Sequence, residues 1–118
     1  MSGSDPPDPE LTSTVFSALA AMTYDSNALA FKNAQNDLIY MFVERGQTSE
    51  DTRWFYGKDS EGGTSPRGQI PQITYDVIHG GTLNTQTQKI SYQGKYYRIR
   101  IYRDQATGKQ LAKAIDVP

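Results

Sequence analysis

Residues 88–103 read QKISYQGKYYRIRIYR and carry the strongest structural signal in the chain. Two segments in which apolar and polar residues alternate, 88–92 and 95–103, flank the dipeptide Gln93-Gly94. Such alternation is typical of half-buried β-strands, and a two-residue turn that contains glycine joins strands into a hairpin. The pattern therefore predicts an antiparallel β-hairpin.

Side chains of the second strand of this hairpin divide between two faces, since successive residues of a strand point in opposite directions. The face that includes Tyr97 and Ile99 is expected to be buried. The opposite face carries aromatic and cationic side chains: Tyr96, Arg98, Arg100 and Tyr102. Pairing across the turn places Lys89 opposite Arg98, so Lys89 is assigned to the same face.

The segments on either side of the hairpin predict further strands and loops. After it, residues 104–108 (DQATG) are typical of a turn, and residues 109–115 predict a final strand. Before it, residues 73–77 alternate between apolar and polar side chains and predict another strand, which residues 79–81 (HGG) end. Residues 58–70 are rich in glycine and predict a flexible surface loop.

An N-terminal helix is predicted over residues 8–23. Asp8 suits the N-cap, Pro9 the first helical position and Glu10 the positive end of the helix dipole. Apolar residues recur at three- and four-residue spacing and form one stripe: Leu11, Val15, Leu19 and Met22. Because serine and threonine weaken its intrinsic helix propensity, this helix needs a sheet to pack against.

Residues 27–44 fit two interpretations. As a helix, the segment places four apolar residues on one face: Phe31, Leu38, Ile39 and Phe42. As a strand, residues 38–43 (LIYMFV) precede a polar loop and a second aromatic run at residues 53–56 (RWFY). Two such runs around a polar loop favour a hairpin, while the helix stays open as the alternative.

Together these elements predict an α+β or mainly-β fold, in which the N-terminal helix precedes a five- to six-stranded antiparallel sheet or small barrel. Residues 9–118 are expected to form a single domain. Residues 1–8, which are acidic and proline-rich, are expected to form a flexible arm. No internal repeat is visible in the sequence.

The composition excludes several functional classes. The 118 residues include no cysteine and one histidine, so the chain offers no thiol nucleophile, disulfide framework or multi-histidine metal site. We therefore expect no metal and no cofactor. No apolar run approaches the ~20 residues that cross a bilayer, and the acidic N-terminal residues do not fit a secretory signal. These features predict a cytoplasmic protein without a membrane partner.

Charge is divided unequally between the two halves of the chain. Residues 1–59 contain four basic and nine acidic residues, whereas residues 60–118 contain eight basic and four acidic ones. The cations concentrate on the predicted hairpin, which carries the candidate binding residues Lys89, Tyr96, Arg98, Arg100 and Tyr102. Such a face suits an acidic protein surface or self-assembly, and it also suits nucleic acid. An ordinary solvated face is the third interpretation.

His79 is the one side chain expected to exchange protons near neutral pH. A small ribonuclease of the barnase type would combine such a histidine with a glutamate, for which Glu44, Glu50 and Glu61 are candidates. In a strand, Asp76 would face away from His79. Catalysis by His79 is therefore the alternative to a role as a surface residue at a strand end.

Residues 89–99 (KISYQGKYYRI) resemble the closing hairpin of small tailed-phage head–tail joining proteins, in which two strands flank a Gly-Lys turn. Those proteins are compact β domains that sit in a ring between the portal and the tail. The resemblance implies an oligomeric adaptor, a component of a phage virion. We expect a non-enzymatic protein that acts through protein–protein contacts, with the arm and the loop carrying Gly62, Gly63 and Gly68 ordering on assembly.

Overall fold

The computed structural model describes residues 10–44, 47, 53–58, 68–103, 106 and 110–118. Two helices lie within them: α1 (Ser13–Ala20) and α2 (Gln72–Gly80). Nine strands lie within them: β1 (Thr23–Asp25), β2 (Ala30–Lys32), β3 (Leu38–Glu44), β4 (Arg53–Gly57), β5 (Gly68–Gln69), β6 (Thr82–Asn84), β7 (Lys89–Tyr92), β8 (Lys95–Arg103) and β9 (Gln110–Val117). The α+β class is confirmed, with one helix more than predicted and nine strands instead of five or six.

The strands form one mixed sheet in the order β1-β2-β3-β5-β9-β8-β7-β6, and β4 pairs with β3 outside this path. The pairing of β5 with β9 is parallel, and the other pairings are antiparallel. β8 and β9 pair continuously from Tyr96↔Val117 to Arg103↔Gln110. This long ladder holds the side chains of both strands in a fixed register.

One face of the sheet packs against both helices and forms the main core. Large side chains from helices and strands are fully buried there: Leu19, Phe31, Met41, Ile70, Val77, Ile78 and Ile90. Ala112 and Ala114 of β9 are buried as well, and their small side chains allow α2 to approach the sheet closely. The opposite face of β6 to β9, called the outer face below, carries mostly exposed side chains.

α1 is shorter than the helix predicted over residues 8–23. Its N-cap is Thr12, whose Oγ1 accepts a hydrogen bond from the backbone N–H of Val15 at 3.2 Å. The predicted cap at residue 8 lies outside the described residues. The predicted apolar stripe is confirmed, since all its members pack in the core: Leu11, Val15, Leu19 and Met22.

The strand predicted over residues 73–77 is wrong, because these residues belong to α2. Thr74, Val77 and Ile78 are buried, and their spacing of three and four residues fits a helix that packs on a sheet. Because a polar residue, Thr74, occupies a buried position of this helix, residues 73–77 alternate between apolar and polar side chains as a half-buried strand would. Residues 79–80 accordingly end a helix rather than a strand.

Thr74 ties α2 to the sheet through its buried hydroxyl group. Thr74 Oγ1 donates to the carbonyl oxygen of Ala112 at 2.8 Å and accepts from the N–H of Ala114 at 2.9 Å. In a strand these two backbone groups would pair with a neighbouring strand. The hydroxyl therefore replaces a strand at this part of the β9 edge.

The hairpin interpretation of residues 38–56 is confirmed, because β3 pairs with β4 in the register Met41↔Tyr56. The helical alternative for residues 27–44 is wrong. The first part of that segment contributes β2, which pairs with β1 through Tyr24↔Phe31.

The hairpin of β7 and β8 is confirmed as well, with the predicted pair Ile90↔Tyr97. Its turn residues, Gln93 and Gly94, have φ angles of 49° and 79°. Positive φ at both central residues is the backbone of a type I′ turn, whose twist matches that of the flanking strands.

The loop predicted over residues 58–70 ends earlier than expected. Gly68 and Gln69 form β5, which bridges β3 and β9, and Ile70 is fully buried. Residues 59–67 and the arm predicted at residues 1–8 lie outside the described residues.

The same order of elements, one helix followed by four strands, occurs twice in the chain, although the sequence shows no visible repeat. The first repeat, residues 11–57, contains α1 and β1 to β4; the second repeat, residues 70–117, contains α2 and β6 to β9. The N-caps, Thr12 and Pro71, are 59 positions apart. The structure therefore contains an internal repeat that the sequence does not show.

Matching loop geometry supports the equivalence of the repeats. In the loop after β1, Asp25 Oδ1 accepts hydrogen bonds from the N–H groups of residues 27 and 28. In the loop after β6, Asn84 Oδ1 accepts the same two bonds from residues 86 and 87. The last loop residues, Leu29 and Gln88, have φ angles of 54° and 63° and are also 59 positions apart.

The repeats exchange reciprocal hydrogen bonds. The N–H of Leu11, just before α1, donates to Gln88 Oε1 in the second repeat at 2.7 Å. The N–H of Ile70, just before α2, donates to the carbonyl oxygen of Leu29 in the first repeat at 2.7 Å. In each repeat, the residue at the end of the loop between the first two strands therefore binds the residue that precedes the N-cap of the other repeat's helix.

Candidate functional site

The outward side chains of β8 form a row along the outer face: Tyr96, Arg98, Arg100 and Tyr102. Tyr96 is 51% and Tyr102 43% exposed, and both arginines are exposed. Lys89 of β7 lies on the same face and is half-buried. The structure thus brings together the five residues that the sequence singled out for binding.

β9 adds side chains that the sequence pattern did not single out: Leu111, Lys113, Ile115 and Val117. The register places Lys113 opposite Arg100 and Ile115 opposite Arg98. Lys113 is exposed, and the three aliphatic side chains are half-buried. Alternation within β9 shows that these four residues share one face of the strand, but only the pairing with β8 shows that this face is the outer one. The name basic sheet face is used below for Lys89, Tyr96, Arg98, Arg100, Tyr102 and Lys113.

The basic sheet face carries four cations, and the described outward positions of β6 to β9 contain no carboxylate. The nearest acidic residue of β9, Asp116, pairs with Tyr97 and so belongs to the opposite face. Its carboxylate lies 3.9 Å from Lys95 Nζ. Positive charge therefore accumulates on this face of β6 to β9, as expected of a surface that meets an anionic partner.

Two of the cations are held in place by contacts within the second repeat. Lys89 Nζ lies 5.8 Å from the centre of the Tyr96 ring and donates to the carbonyl oxygen of Pro118 at 2.7 Å. Arg98 Nη2 donates to the carbonyl oxygen of Thr87 at 3.1 Å. These contacts orient the cations before any partner binds, which lowers the entropy cost of binding.

A groove of about 790 Å³ adjoins the basic sheet face at β6. Its lining is mostly neutral and polar: Thr82, Leu83, Asn84, Thr85, Gln86, Thr87, Lys89, Ser91, Tyr96 and Pro118. The register places Thr82 beside Ser91 and Ser91 beside Tyr96, so these three lining residues lie side by side on the outer face. We call this feature the polar groove. Its volume is in the range of typical ligand sites.

The first repeat has an apolar cluster at the same position: Ala28, Ala30, Leu38 and Tyr40. Ala30 is fully buried and Tyr40 is 7% exposed. Pairing registers equate these four residues with Thr87, Lys89, Tyr96 and Arg98 of the second repeat. The fold is therefore compatible with apolar side chains at all four positions, and it does not itself require the cations.

His79 lies at the end of α2, where its contacts are structural. Its Nδ1 lies 3.0 Å from the carbonyl oxygen of Ala20, which is the equivalent residue of the first repeat. Its ring stacks on Tyr75 at 5.1 Å. Asp76 shares the helix with His79 but accepts a hydrogen bond from Gln72 at 3.0 Å. Among the described residues, no carboxylate lies within ion-pair distance of His79, and Glu44, Glu50 and Glu61 have no described side chain.

Tyr24 extends the same aromatic stack, with its ring 5.0 Å from that of Tyr75. Its hydroxyl donates to the carbonyl oxygen of Ile70, which links β1 to the start of the second repeat. Burial, together with the negative charges of Asp76 and Asp25, raises the pKa of Tyr24 above 10.0. The fold therefore favours the neutral phenol.

The Tyr24→Phe substitution should change how stability depends on alkaline pH. Below pH 10.0 the phenol is protonated in both states, and the wild type should be more stable by about 1 kcal/mol through its hydrogen bond. As pH rises from there through the raised pKa, the unfolded chain loses its proton first, so this advantage should disappear. Thermal unfolding of both proteins between pH 8 and about 11.5 measures this difference in stability. A constant difference would contradict the assignment, and Tyr56→Phe at an exposed position is the control.

Comparison with known proteins finds no family model, no curated protein and no solved structure that matches this chain. Within the described residues, neither helix has the length and apolar character needed to cross a membrane. No group of three histidine, aspartate or glutamate side chains suited to a metal occurs among those residues. The basic sheet face and the polar groove are therefore the features of this structure that bear on its function.

Proposed function

We propose that the chain is a non-enzymatic adaptor that acts through protein–protein contacts, with the basic sheet face as its docking surface for an acidic partner. The observation that carries the proposal is the contrast between the repeats. Lys89 and Arg98 stand where the first repeat has Ala30 and Tyr40 in a packed cluster. The fold does not require these cations, and they are gathered on one face. A role in binding a partner explains both facts best.

The aliphatic side chains of β9 favour a protein partner over nucleic acid. Leu111, Ile115 and Val117 lie directly opposite Tyr102, Arg98 and Tyr96, so aliphatic side chains stand beside aromatic and cationic ones across the face. Arginine and tyrosine around an apolar centre are typical of the residues that dominate protein–protein binding.

The net charge of the chain and the position of Lys89 over the Tyr96 ring also favour a protein partner over nucleic acid. The net charge is −1 and the isoelectric point about 5.7, whereas domains that bind nucleic acid are commonly strongly basic. Lys89 Nζ already lies over one face of the Tyr96 ring, a position that a stacked base would need. An adaptor of this kind agrees with the resemblance of residues 89–99 to head–tail joining proteins.

Charge reversal at the centre of the face should strongly weaken partner binding without unfolding the protein. A photo-cross-linking residue in place of the exposed Tyr102 would identify the partner. The double variant Arg98→Glu with Arg100→Glu should then bind it about 100-fold more weakly, because two charge-assisted contacts become repulsive. Its free energy of unfolding should change by less than about 1 kcal/mol, since both side chains are exposed.

The matched control is Lys32→Glu with Lys95→Glu, which changes the net charge equally at positions outside the face. If the control weakens binding as much, only net charge matters and the docking surface is wrong. Cross-linking to nucleic acid instead of protein would also contradict the proposal.

A further inference from the structure

We infer that the polar groove is a peptide-binding site that takes an extended, carboxylate-bearing segment of the partner protein. This inference rests on the proposed function, because the groove adjoins the basic sheet face and shares Lys89 and Tyr96 with it. It goes further in assigning a second contact region and the conformation of the bound segment.

The comparison of repeats shows that the groove is not needed for folding. Tyr40 and Leu38, with Ala28 and Ala30, pack together in the first repeat. In the second repeat the equivalent positions carry longer polar side chains that interact with one another, and about 790 Å³ stays open beside them. A position that is packed in one copy and open in the other is a candidate for a ligand.

The lining of the groove suits the backbone of a peptide. Asn84 Oδ1 accepts a hydrogen bond from the N–H of Gln86, and Thr87 Oγ1 accepts one from the N–H of Lys89, which fixes the shape of this part of the lining. Thr82, Ser91 and Gln86 also line the groove, and all three are exposed. Neutral groups that both donate and accept can pair with peptide N–H and C=O groups without binding a charge.

The open space beside β6 favours an extended conformation of the ligand. β6 is the last strand in the sheet order, and within the described residues its far edge has no strand partner. A peptide added to that edge would lie three strand spacings, about 14 Å, from β8 and would not contact the arginine row. We therefore place the segment on the outer face, where an extended chain parallel to the strands contacts both the groove and the row on β8.

The cations determine the charge of the segment. Arg98 and Arg100 are two residues apart on one strand, which separates them by about 7 Å. Carboxylates at every second position of an extended peptide have the same spacing. Lys89 and Tyr96 line the groove and also belong to the basic sheet face, so one acidic segment can contact both. A saccharide is less suitable, because Lys89 covers a face of the Tyr96 ring on which a sugar would stack.

Fluorescence anisotropy with a defined probe tests the inference. The probe is an eight-residue peptide of alternating glutamate and threonine with a fluorescent label. A peptide of alternating glutamine and threonine and an eight-nucleotide oligo-dT serve as controls. We expect the wild type to bind the acidic peptide at least about tenfold more tightly than either control, because neither control offers carboxylates at this spacing.

Two variants of the groove separate it from the rest of the face. Ser91→Trp fills part of the groove without changing any charge, and Thr82→Ile with Ser91→Ile removes two hydroxyl groups of the lining at positions outside the basic sheet face. Both should weaken binding of the acidic peptide about tenfold or more. The second variant keeps the test valid if tryptophan disturbs the fold.

The variant Arg100→Gln with Lys113→Gln lies outside the groove and tests the docking surface alone. If only this variant loses affinity, the groove is not the peptide site, while the proposed function stands. If neither kind of variant changes affinity, or if the wild type does not prefer the acidic peptide, the inference is wrong. Tighter binding of oligo-dT would overturn both the inference and the proposed function.

Discussion

Replacing Gly81 by alanine should destabilise the protein by about 3 kcal/mol, a loss of roughly 10 °C in melting temperature. Gly81 connects α2 to β6, and a Cβ atom there would lie 2.3 Å from the carbonyl oxygen of Val77 and 2.5 Å from Ile90 Cγ2. Neither neighbour can move freely, since the first belongs to the helix backbone and the second to the core. Relief of the clash requires the helix to shift from the sheet. Thermal denaturation measures the effect.

Gly80 and Gly94 are controls for the Gly81 substitution. A Cβ at Gly80 would meet the edge of the Tyr92 ring at 2.9 Å, which can tilt away, and alanine is the better helix former. Gly94 has open space around it but a φ of +79°, so alanine there should cost about 1 kcal/mol. A Gly81→Ala variant as stable as Gly80→Ala would contradict the close packing of α2 against β7.

Replacing Thr74 by valine should destabilise the protein by about 3 kcal/mol, although the two side chains have the same shape. Valine cannot donate to the carbonyl oxygen of Ala112 or accept from the N–H of Ala114, and both groups lie in the buried contact between α2 and β9. Two unpaired polar groups then stay away from water, which is more costly than the loss of an average hydrogen bond. Equilibrium denaturation with urea measures the change.

Thr74→Ser distinguishes the contribution of the hydroxyl group to stability from that of the methyl group. Serine keeps both hydrogen bonds and should cost about 1 kcal/mol, because only one buried methyl group is lost. Thr14→Val, at an exposed position of α1, should change stability by less than about 0.5 kcal/mol. If Thr74→Val is as stable as Thr74→Ser, the hydroxyl does not replace a strand at the β9 edge.

Local patterns predicted the hairpins of this fold correctly. Alternation and a glycine turn suffice for β7 and β8, because their pairing depends on neighbouring residues alone. α2 was missed because burial of Thr74 depends on backbone groups of β9, about forty residues away. β1, β2 and β6 are only three residues long, too short for alternation to distinguish them from loops.

The internal repeat could not be predicted from residue identity. Residues 23–32 and 82–91 share only the threonines at positions 23 and 82. What the repeats have in common is geometry: an aspartate or asparagine at the same loop position, and positive φ at the last loop residue. Different residues satisfy the same backbone requirement, so similarity survives in structure after it has disappeared from sequence.

The candidate site was predicted in part. The exposed row on β8 follows from alternation, and Tyr96, Arg98, Arg100 and Tyr102 lie where that pattern placed them. The polar groove could not be predicted, because it depends on β6 and on Pro118 reaching the same place as β7. Only the register of β9 with β8 shows that Lys113 belongs to the same face.

The central claim is that the basic sheet face binds a protein partner through the positions of its cations. The most direct measurement is calorimetric titration of the identified partner with two charge-matched variants at low salt. We expect Arg98→Glu with Arg100→Glu to bind about 100-fold more weakly than the wild type, and Lys32→Glu with Lys95→Glu to stay within about threefold of it. Equal affinities for the two variants would contradict the claim.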